Sequence, residues 1–553
     1  MRTASICIAS VLALNSFVMR KSLASAAGVD EPVHLNSGLV SGVAGSNASV
    51  RVFRGIPYAA PPVGKLRWRA PQPVARWGGV RKADQFGAIC MQAAFRGGAT
   101  ATPPANPPKM SEDCLFLNVW TAAPSASERR PVMVWIHPGG YNTGSGSMPG
   151  YDGEALARKG VVLVTINYRL GVFGFFSHPE LTKESENHAS GNYGLMDEVA
   201  ALQWVQKNIA AFGGDPHRVT VFGDSAGSAS IANLLGSPRA KGLFQRASGE
   251  SGAWMGISLQ PTRTLAEAEQ AGVKMAEELH TKSLEELRAM PAEDLLKGGR
   301  GAGVVIDGWF IPQDVATTFA EGKQNDVPLI VGSNKDEGTF FLQPTTAEKF
   351  IERSRTRFGG QADAFLKLYP AGSDEEASAS QLAAFRDELA FVMRVWARAQ
   401  AKTGHSKTFV YYFTHQPPAP VGATSRGGFG SGATHGSEAQ YIFQNLLLPR
   451  AWTDLDRQVS DVMSSYWVNF ATTGDPNRKG LAKWPAFDDK DTTDRPMVLG
   501  DRAEVGAGLS PAQLAFFEQV YEKQRAGRTE PRFAATMAAP IASKLTTEVV
   551  IAP

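Results

Sequence analysis

The chain has 553 residues, of which 43% are hydrophobic and 20% are charged, and its formal net charge is +3. This apolar fraction is sufficient for a large core and excludes a chain that is disordered throughout. A net charge so close to zero argues against a nucleic-acid-binding protein, which needs a concentrated basic face. Three cysteines are too few for a disulfide-rich scaffold or a cysteine-rich zinc site.

The N-terminal segment is typical of a secretory signal peptide. Its apolar run, Ile6–Leu14, is followed by Ala24-Ser25-Ala26, which fits a small-residue cleavage site. Residues 1–26 are therefore predicted to be removed on export. No later run reaches the roughly 18 apolar residues that a membrane-spanning helix requires, so no transmembrane segment is predicted. Residues 528–553 lack clear periodicity and are predicted to form a tail, which leaves 27–527 as one domain.

Short, almost wholly apolar runs alternate along the chain with longer segments of helical periodicity. Such runs are typical of strands that are buried on both faces. The predicted strands are Val132–Ile136, Val161–Ile166, Val219–Phe222, Leu329–Val331 and Thr408–Phe413. The predicted helices include Leu195–Phe212, Leu382–Ala401 and Gln458–Phe470. This repeated strand–helix–strand order predicts a mostly parallel sheet with helices on both faces.

Two glycine-containing stretches interrupt this order and are predicted to be surface loops. Arg96–Lys109 lies between Cys90 and Cys114, and Gly427–Gly432 precedes His435. Signal-peptide cleavage would leave these two cysteines alone in the chain. An even pair in an exported protein is a candidate disulfide, and two buried free thiols are the alternative.

The strongest chemical signal is Gly223-Asp224-Ser225-Ala226-Gly227, which follows a predicted strand and precedes the helix-compatible Ser228–Leu235. It fits the pattern G-x-S-x-G, in which a sharp turn between strand and helix exposes the serine hydroxyl at the top of a sheet. Glycine flanks the serine because a Cβ would crowd the backbone there. The strand, turn and helix together favour Ser225 as a nucleophile over a chance match.

A serine nucleophile needs a base and an acid that orients this base, in the chain order serine, acid, histidine for this kind of turn. His405, His415 and His435 follow Ser225 with room for a strand and an acid between. His405 precedes the strand that starts at Thr408, and His415 ends it, so both are interpreted as structural. His435 lies on a loop beyond that strand, where its side chain can reach over the sheet edge.

The acid of such a triad is expected just after another sheet strand. Asp336 and Glu337 follow the predicted strand Leu329–Val331. Because the two acids are adjacent, spacing alone does not choose between them, and a solvated acidic turn is the alternative for both.

Acyl transfer also requires N–H donors that stabilise a negatively charged oxygen. One donor is the N–H group that follows the nucleophile, at Ala226. Others are expected in the turn His137-Pro138-Gly139-Gly140-Tyr141, which follows the predicted strand Val132–Ile136. Glycine lets the backbone at Gly139 and Gly140 approach a ligand closely, and an ordinary glycine turn is the alternative.

Together with further motifs, these residues resemble the type-B carboxylesterase family, which includes bacterial carboxylesterases, cholinesterases and fungal lipases. The shared stretches are Phe53-Arg54-Gly55-Ile56-Pro57-Tyr58-Ala59, Ser111-Glu112-Asp113-Cys114-Leu115, Asn167-Tyr168-Arg169-Leu170-Gly171, Gly191-Asn192-Tyr193-Gly194-Leu195-Met196-Asp197, Phe212-Gly213-Gly214-Asp215-Pro216, Ala433-Thr434-His435-Gly436 and Asn469-Phe470. The resemblance implies an α/β-hydrolase fold, with a mostly parallel sheet flanked by helices and with inserted loops that form an active-site gorge.

The resemblance also assigns roles to residues. It implies a catalytic triad of Ser225, Glu337 and His435, and so selects Glu337 over Asp336. It implies oxyanion-hole donors at Gly139, Gly140 and Ala226. It further implies a Cys90–Cys114 disulfide, the buried ion pairs Arg67–Glu112 and Arg169–Asp197, and a gorge lined by Trp254, Phe340 and Phe341, for which core packing is the alternative.

Two positions depart from the family pattern. Pro138 replaces the first residue of the usual triple-glycine run, but the next two positions, which donate, are both glycine. Asp224 stands where most relatives have glutamate, so a shorter carboxylate lies next to the nucleophile.

The resemblance implies hydrolysis of small-molecule carboxylic esters through an acyl-enzyme intermediate, without a cofactor or metal. The signal peptide predicts export to the periplasm or beyond, and the absence of the cysteines of the family's other disulfides favours a bacterial protein. The same groups could act on a toxin or polyester, a carbamate, an amide or a lactone. A non-catalytic binding protein of the same fold is a further alternative, which the presence of all three triad residues opposes. The natural substrate and the oligomeric state are not indicated.

Overall fold

The structure is a computed structural model that describes residues 29, 31–93, 109–253, 262–299, 301–419, 421, 431–447, 450–490 and 494–526. The predicted signal peptide, the predicted tail and Trp254 lie outside the described residues. Most of the two predicted loops lies outside them as well.

The strands contain between two and eleven residues. In chain order the described residues form β1 Val33–Leu35, β2 Gly38–Ser41, β3 Val43–Ala44, β4 Arg51–Pro57, β5 Val80–Lys82, β6 Ile89–Cys90, β7 Met110–Ser111, β8 Phe116–Thr121, β9 Arg130–Ile136, β10 Val162–Ile166, β11 Gly214–Asp224, β12 Arg246–Glu250, β13 Arg263–Thr264, β14 Val305–Ile306, β15 Leu329–Asn334, β16 Thr408–Phe413, β17 Met497–Leu499 and β18 Ala503–Val505.

The α-helices vary from a single turn to eight turns. They are α1 Glu154–Arg158, α2 Gly171–Gly174, α3 Pro179–Glu184, α4 Tyr193–Asn208, α5 Ala226–Gly236, α6 Leu265–Glu278, α7 Leu284–Ala289, α8 Ala292–Lys297, α9 Val315–Ala320, α10 Gly338–Phe341, α11 Ala347–Phe358, α12 Ala362–Leu368, α13 Asp374–Thr403, α14 Glu438–Ile442, α15 Asp454–Thr473 and α16 Pro511–Ala526. Among the described residues, no helix is long and apolar enough to cross a membrane.

One large sheet organises the molecule, with the strand order β18-β17-β16-β15-β12-β11-β9-β10-β8-β4-β3. The strands from β17 to β10 in this order run parallel to one another. Antiparallel pairing is confined to β8, β4 and β3 at one end and to β18 at the other. The predicted mostly parallel sheet is thus confirmed. The carboxyl ends of its central strands meet at one edge, which is where α/β sheets place their ligands.

The sheet is buried on both faces because side chains along each strand alternate between two cores. On β9, Val132, Val134 and Ile136 enter one apolar core, whereas Met133 and Trp135 enter the other. Helices α4, α5 and α13 pack on the first face, and α1 and α15 pack on the second. Apolar side chains at every position from Val132 to Ile136 explain the continuous apolar run in the sequence.

Three predicted strands lie within β9, β11 and β15, Thr408–Phe413 coincides with β16, and Val161–Ile166 begins one residue before β10. Helix boundaries differ more. Leu382–Ala401 lies inside α13, which begins at Asp374 after the N-cap Ser373, whose side chain accepts a hydrogen bond from the Glu376 N–H group. Its first turns are polar and carry no apolar periodicity, so the pattern revealed only the part that packs on the sheet.

Candidate active site

Ser225 occupies the turn between β11 and α5, at the carboxyl edge of the sheet. Its backbone has φ +56° and ψ −116°, and its side chain does not cap the helix. A non-glycine residue with positive φ is uncommon and costs on the order of 1–3 kcal/mol. Surrounding contacts maintain this conformation, among them the bond from the Ser225 N–H group to the Glu250 carbonyl, 2.7 Å long. The hydroxyl group is thereby left available.

Glycine is required on both sides of Ser225 because β9 passes directly behind the turn. A Cβ added to Gly223 would lie 2.6 Å from the Ile136 carbonyl oxygen, and one added to Gly227 would lie closer still. Both collisions are with backbone, which cannot rotate away as a side chain can. The G-x-S-x-G spacing is therefore a packing requirement of this turn.

His435 and Glu337 come together across the sheet edge. His435 Nδ1 lies 2.6 Å from Glu337 Oε2, and both side chains are almost completely buried. Because a carboxylate can only accept, we assign the proton of the neutral imidazole to Nδ1. His435 Nε2 then carries the lone pair, and it makes no hydrogen bond to any described residue.

The second oxygen of Glu337 is also held in place. Glu337 Oε1 accepts hydrogen bonds from Ser251 Oγ at 2.6 Å and from the Asn334 N–H group at 2.7 Å. Sequence reasoning did not identify Ser251 as a site residue. Ser251 could have been identified from its position directly after β12, because the carboxyl ends of neighbouring parallel strands lie side by side.

Asp336, the neighbour of Glu337, contacts the backbone of Ala433 and not the imidazole of His435. Its Oδ2 accepts a hydrogen bond from the Ala433 N–H group at 2.8 Å, and its own N–H group donates to the Ala433 carbonyl at 2.9 Å. Asp336 therefore fixes the loop that leads to His435, while the carboxylate of Glu337 contacts the imidazole itself.

Several further carboxyl groups are buried beside this pair. Burial, together with the charge of Glu337, raises the pKa of Asp224 to about 7 against the attraction of His435. Burial and Asp224 raise the pKa of Glu250 to about 8. Burial likewise holds the pKa of Glu438 well above its usual range. Sequence reasoning singled out only Asp224, since Glu250 and Glu438 belong to no local motif.

The charges of Asp224 and Glu337 act on His435. Burial by itself lowers its pKa, but the carboxylates of Asp224 and Glu337 outweigh burial and raise the pKa to about 9. The loop of His435 lies against Asp224, because a Cβ added to Gly436 would be 2.9 Å from Asp224 Oδ2. Asp224 precedes Ser225 directly, so the imidazole loop and the serine turn share this contact region.

The expected oxyanion donors lie on two turns. Ala226 is the first residue of α5, where a helix leaves N–H groups without an intrahelical partner. Gly139 and Gly140 follow β9 with φ values of +127° and +61°, which only glycine adopts readily. In both turns the donor positions follow the carboxyl end of a central strand.

Two of the three expected gorge residues are described. Phe340 and Phe341 on α10 are 49% and 37% exposed, which is unusual for phenylalanine. Their ring centroids lie 5.9 and 4.6 Å from that of His435. They therefore form an open aromatic surface beside the imidazole. Trp254 lies outside the described residues.

The other expected contacts are present. Cys90 and Cys114 form a disulfide. Arg67 Nε donates to Glu112 Oε2 at 2.7 Å, and Arg169 Nε donates to Asp197 Oδ2 at 2.7 Å.

The two histidines that were interpreted as structural contact other carboxylates. His415 is buried between Asp501 and Asp456, with Nδ1 and Nε2 at 2.7 and 2.9 Å from their carboxylate oxygens. The backbone N–H group of His405 donates to Asp326.

Comparison with known proteins extends these observations to almost the whole chain. The model of the family described as "Carboxylesterase family" matches residues 30–517. Fumonisin B1 esterase of Sphingopyxis macrogoltabida is 37% identical over 531 residues, which cover 91% of this chain and 93% of that protein. Para-nitrobenzyl esterase of Bacillus subtilis is 37% identical over 463 residues, which cover 79% and 89%.

Solved structures show the same similarity. A PNB esterase structure superposes with a TM-score of 0.75 and 33% identity, covering 88% of this chain and 98% of its own. A thermophilic PNB esterase gives a TM-score of 0.75 and 33% identity, covering 88% and 99%.

Proposed function

This chain belongs to the carboxylesterase family and is an α/β-hydrolase that cleaves carboxylic esters, and from that premise we propose that Ser225, His435 and Glu337 are its catalytic triad. We assign Gly139, Gly140 and Ala226 to the oxyanion hole. The observation that carries this assignment is the 2.6 Å contact between Glu337 and the buried imidazole of His435, on a loop that shares Asp224 with the serine turn.

In the first half-reaction, Ser225 Oγ attacks the ester carbonyl carbon while His435 Nε2 accepts the serine proton. The carbonyl oxygen becomes an oxyanion, which the three N–H groups stabilise. His435 then returns the proton to the departing alcohol, which leaves an acyl-enzyme. Water repeats the sequence on the acyl-enzyme and releases the carboxylic acid. Glu337 stabilises the imidazolium that forms in each half.

The test of the nucleophile is Ser225→Ala, assayed with a fluorophosphonate probe and a simple ester. We expect labelling to disappear and kcat to fall by a factor on the order of 10⁴–10⁶, as in other triad hydrolases. Ser228→Ala on the same helix is the matched control and should still be labelled. Turnover by purified Ser225→Ala close to that of the wild type would contradict the assignment.

The substrate class follows from the aromatic surface beside His435. We propose that esters with an apolar or aromatic acyl or alcohol group are preferred, because Phe340 and Phe341 are exposed next to the imidazole and apolar pocket walls favour apolar ligands. The similarity to a fumonisin B1 esterase supports including bulky toxin esters in the test. A panel of esters that varies the two halves independently would identify the preferred half, and equal kcat/KM across the panel would contradict the proposal.

We also propose that the protein is exported and that residues 27–527 form its catalytic domain. The Cys90–Cys114 disulfide supports this location, because disulfides persist in oxidising compartments. N-terminal sequencing of protein recovered outside the cytoplasm is the test, and retention of residues 1–26 would contradict it.

A further inference from the structure

The loop that carries two of the proposed oxyanion donors has its carbonyl groups fixed one after another. The Gly139 carbonyl accepts from the N–H groups of Asn142 and Thr143 at 3.0 and 3.1 Å. The Gly140 carbonyl accepts from Asn142 Nδ2 at 2.6 Å, and the Tyr141 carbonyl accepts from the Gly171 N–H group at 2.7 Å. The carbonyl of Pro138 is fixed by a side chain, because His137 Nδ1 lies 2.8 Å from it.

A hydrogen bond that fixes the direction of a carbonyl group also fixes the direction of the N–H group of the next residue. In a planar trans peptide, the C=O of one residue and the N–H of the next point in opposite directions. The hydrogen bond to the Pro138 carbonyl therefore sets the direction of the Gly139 N–H group. Among the described residues, His137 is the partner of this carbonyl. The Gly139 carbonyl, which precedes the donor at Gly140, is held instead by the N–H groups of Asn142 and Thr143 and by Thr143 Oγ1.

The surroundings of His137 hold its imidazole ring in a fixed position. Its side chain is fully buried at the end of β9, and its ring stacks on Tyr168 with centroids 4.4 Å apart and planes inclined by 18°. The Tyr168 hydroxyl in turn donates to the His137 carbonyl at 2.8 Å. Because a carbonyl can only accept, we assign the ring proton to Nδ1.

The charge of the ring is fixed as well. Burial lowers the pKa of His137 to about 4, against the opposing effect of the bond to Pro138. The imidazole is therefore neutral at the pH values where an ester hydrolase of this kind works, and its Nδ1–H donor is present throughout. The other ring nitrogen, Nε2, is buried and has no hydrogen-bond partner in the described part of the chain.

We propose that His137 is a positioning residue of the oxyanion hole, which orients the Gly139 N–H group by donating from Nδ1 to the Pro138 carbonyl. The inference rests on the proposed catalytic role of Ser225 and Gly139. His137 does not contact the substrate, and it acts only by setting the direction of one donor. The donor at Gly140 does not depend on it.

The expected effect is on the transition state, because the oxyanion exists only there. Removing one oxyanion donor in other hydrolases lowers kcat by about 10²–10³. Because the Gly139 donor is misdirected and not removed, kcat should fall by about 100-fold, the lower end of that range. KM should change little, because the uncharged ester carbonyl gains less from the donor.

Two substitutions separate the hydrogen bond from the packing of the ring. His137→Phe keeps an aromatic ring on Tyr168 but loses the donor, whereas His137→Asn loses the ring but keeps an N–H donor on the same Cγ position. We expect kcat to fall by about 100-fold in His137→Phe and His137→Asn to recover at least about tenfold of that loss. A purely structural role predicts the reverse order, in which His137→Phe is the better enzyme, and that result would overturn the proposal.

The affinity for a trifluoromethyl ketone, which forms a tetrahedral adduct with an active serine, gives a second measurement. It should weaken in His137→Phe by the same factor as kcat/KM. His178→Phe is the matched control, since His178 is also buried and stacks on Phe176, and it should keep wild-type kcat. Melting temperatures of all variants establish that each is folded.

Ser225→Ala in the same series distinguishes the two levels of failure. If Ser225→Ala is inactive while His137→Phe keeps wild-type kcat, the positioning role is wrong and the triad assignment stands. If Ser225→Ala hydrolyses esters normally, the triad assignment fails, and the role of His137 falls with it.

Discussion

Glu337 and Asp336 are adjacent carboxylates whose surroundings give them different tasks. Glu337 is fully buried and accepts from Ser251, Asn334 and His435. Asp336 is half-buried and holds the loop at Ala433. Sequence spacing could not separate the two, because the direction of a side chain just after a strand depends on the turn that follows.

We expect Glu337→Gln to lower kcat by a factor on the order of 10⁴, as the equivalent carboxylate-to-amide change does in another triad hydrolase. The amide either places its own N–H donor against the N–H group of His435 Nδ1 or moves the imidazole proton to Nε2. In the second case Nε2 can no longer accept the serine proton. Asp336→Asn is the matched change on the neighbouring residue and should keep most of kcat, since an amide oxygen still accepts from Ala433. Steady-state kinetics of both purified variants is the measurement, and the opposite order would exchange the two roles.

Asp224 should control the pH dependence through its charge. In the proposed mechanism only neutral imidazole accepts the serine proton, so kcat/KM should rise with pH as His435 loses its proton. Asp224 and Glu337 outweigh burial and raise the pKa of His435 to about 9, so the midpoint should lie above the ordinary histidine value of about 6.5.

Asp224→Asn removes one of these charges and should move the midpoint to lower pH by roughly one unit or more. The measurement is kcat/KM for a neutral ester between about pH 5 and 10, a range that brackets both pKa values. Asp215→Asn, at the opposite end of β11, is the control and should leave the midpoint unchanged. An unchanged midpoint in Asp224→Asn would show that its carboxyl group is uncharged or too distant to act.

At the scale of the element, continuous apolar runs predicted β9, β10, β11, β15 and β16 because both faces of those strands are buried. The central strand β12, with the sequence Arg246-Ala247-Ser248-Gly249-Glu250, has no apolar run and was not predicted. The short strands near the ends of the sheet were not predicted either. β3, β17 and β18 have two or three residues each and are held by their neighbours rather than by local pattern. The serine turn was predictable because its geometry imposes glycine at two positions, whereas Ser251, Glu250 and Glu438 meet only through the tertiary fold.

The turn between β11 and α5 makes a direct prediction. Gly227→Ala places a methyl group against the backbone of β9 at Ile136, so either the turn moves or the strands separate. We expect kcat to fall at least about 100-fold, since a shift of 1 Å at a reacting group costs that much. Gly360→Ala, where an added Cβ meets nothing within 4 Å, is the matched control. A Gly227→Ala enzyme with wild-type kcat would show that the turn accommodates a side chain.

At the scale of the whole molecule, the disulfide joins β6 to the segment that enters β8. Beside it, Arg67 pairs with Glu112 and also donates to the carbonyl groups of Leu287, inside α7, and of Met290, directly after α7. A covalent bond and an ion pair thus hold the same N-terminal region on the body of the protein.

Replacing both Cys90 and Cys114 by serine should lower the free energy of unfolding by about 3 kcal/mol, the chain-entropy value for a loop of this size. Differential scanning calorimetry of the wild type and the double variant is the measurement. Thiol titration of denatured, unreduced mature protein should find neither cysteine free. Two titratable thiols would contradict the bridge and weaken the case for export.

The lengths of the outermost strands have a consequence for the protein at high concentration. An open sheet presents unpaired N–H and C=O groups at its two ends, where a strand of another molecule can add. Here the ends are β3, with two residues, and β18, with three residues and the exposed Glu504 at its centre. So short an edge offers an incoming strand few hydrogen bonds, and the acidic side chain disfavours its approach. The large central sheet is thereby protected from edge-to-edge aggregation.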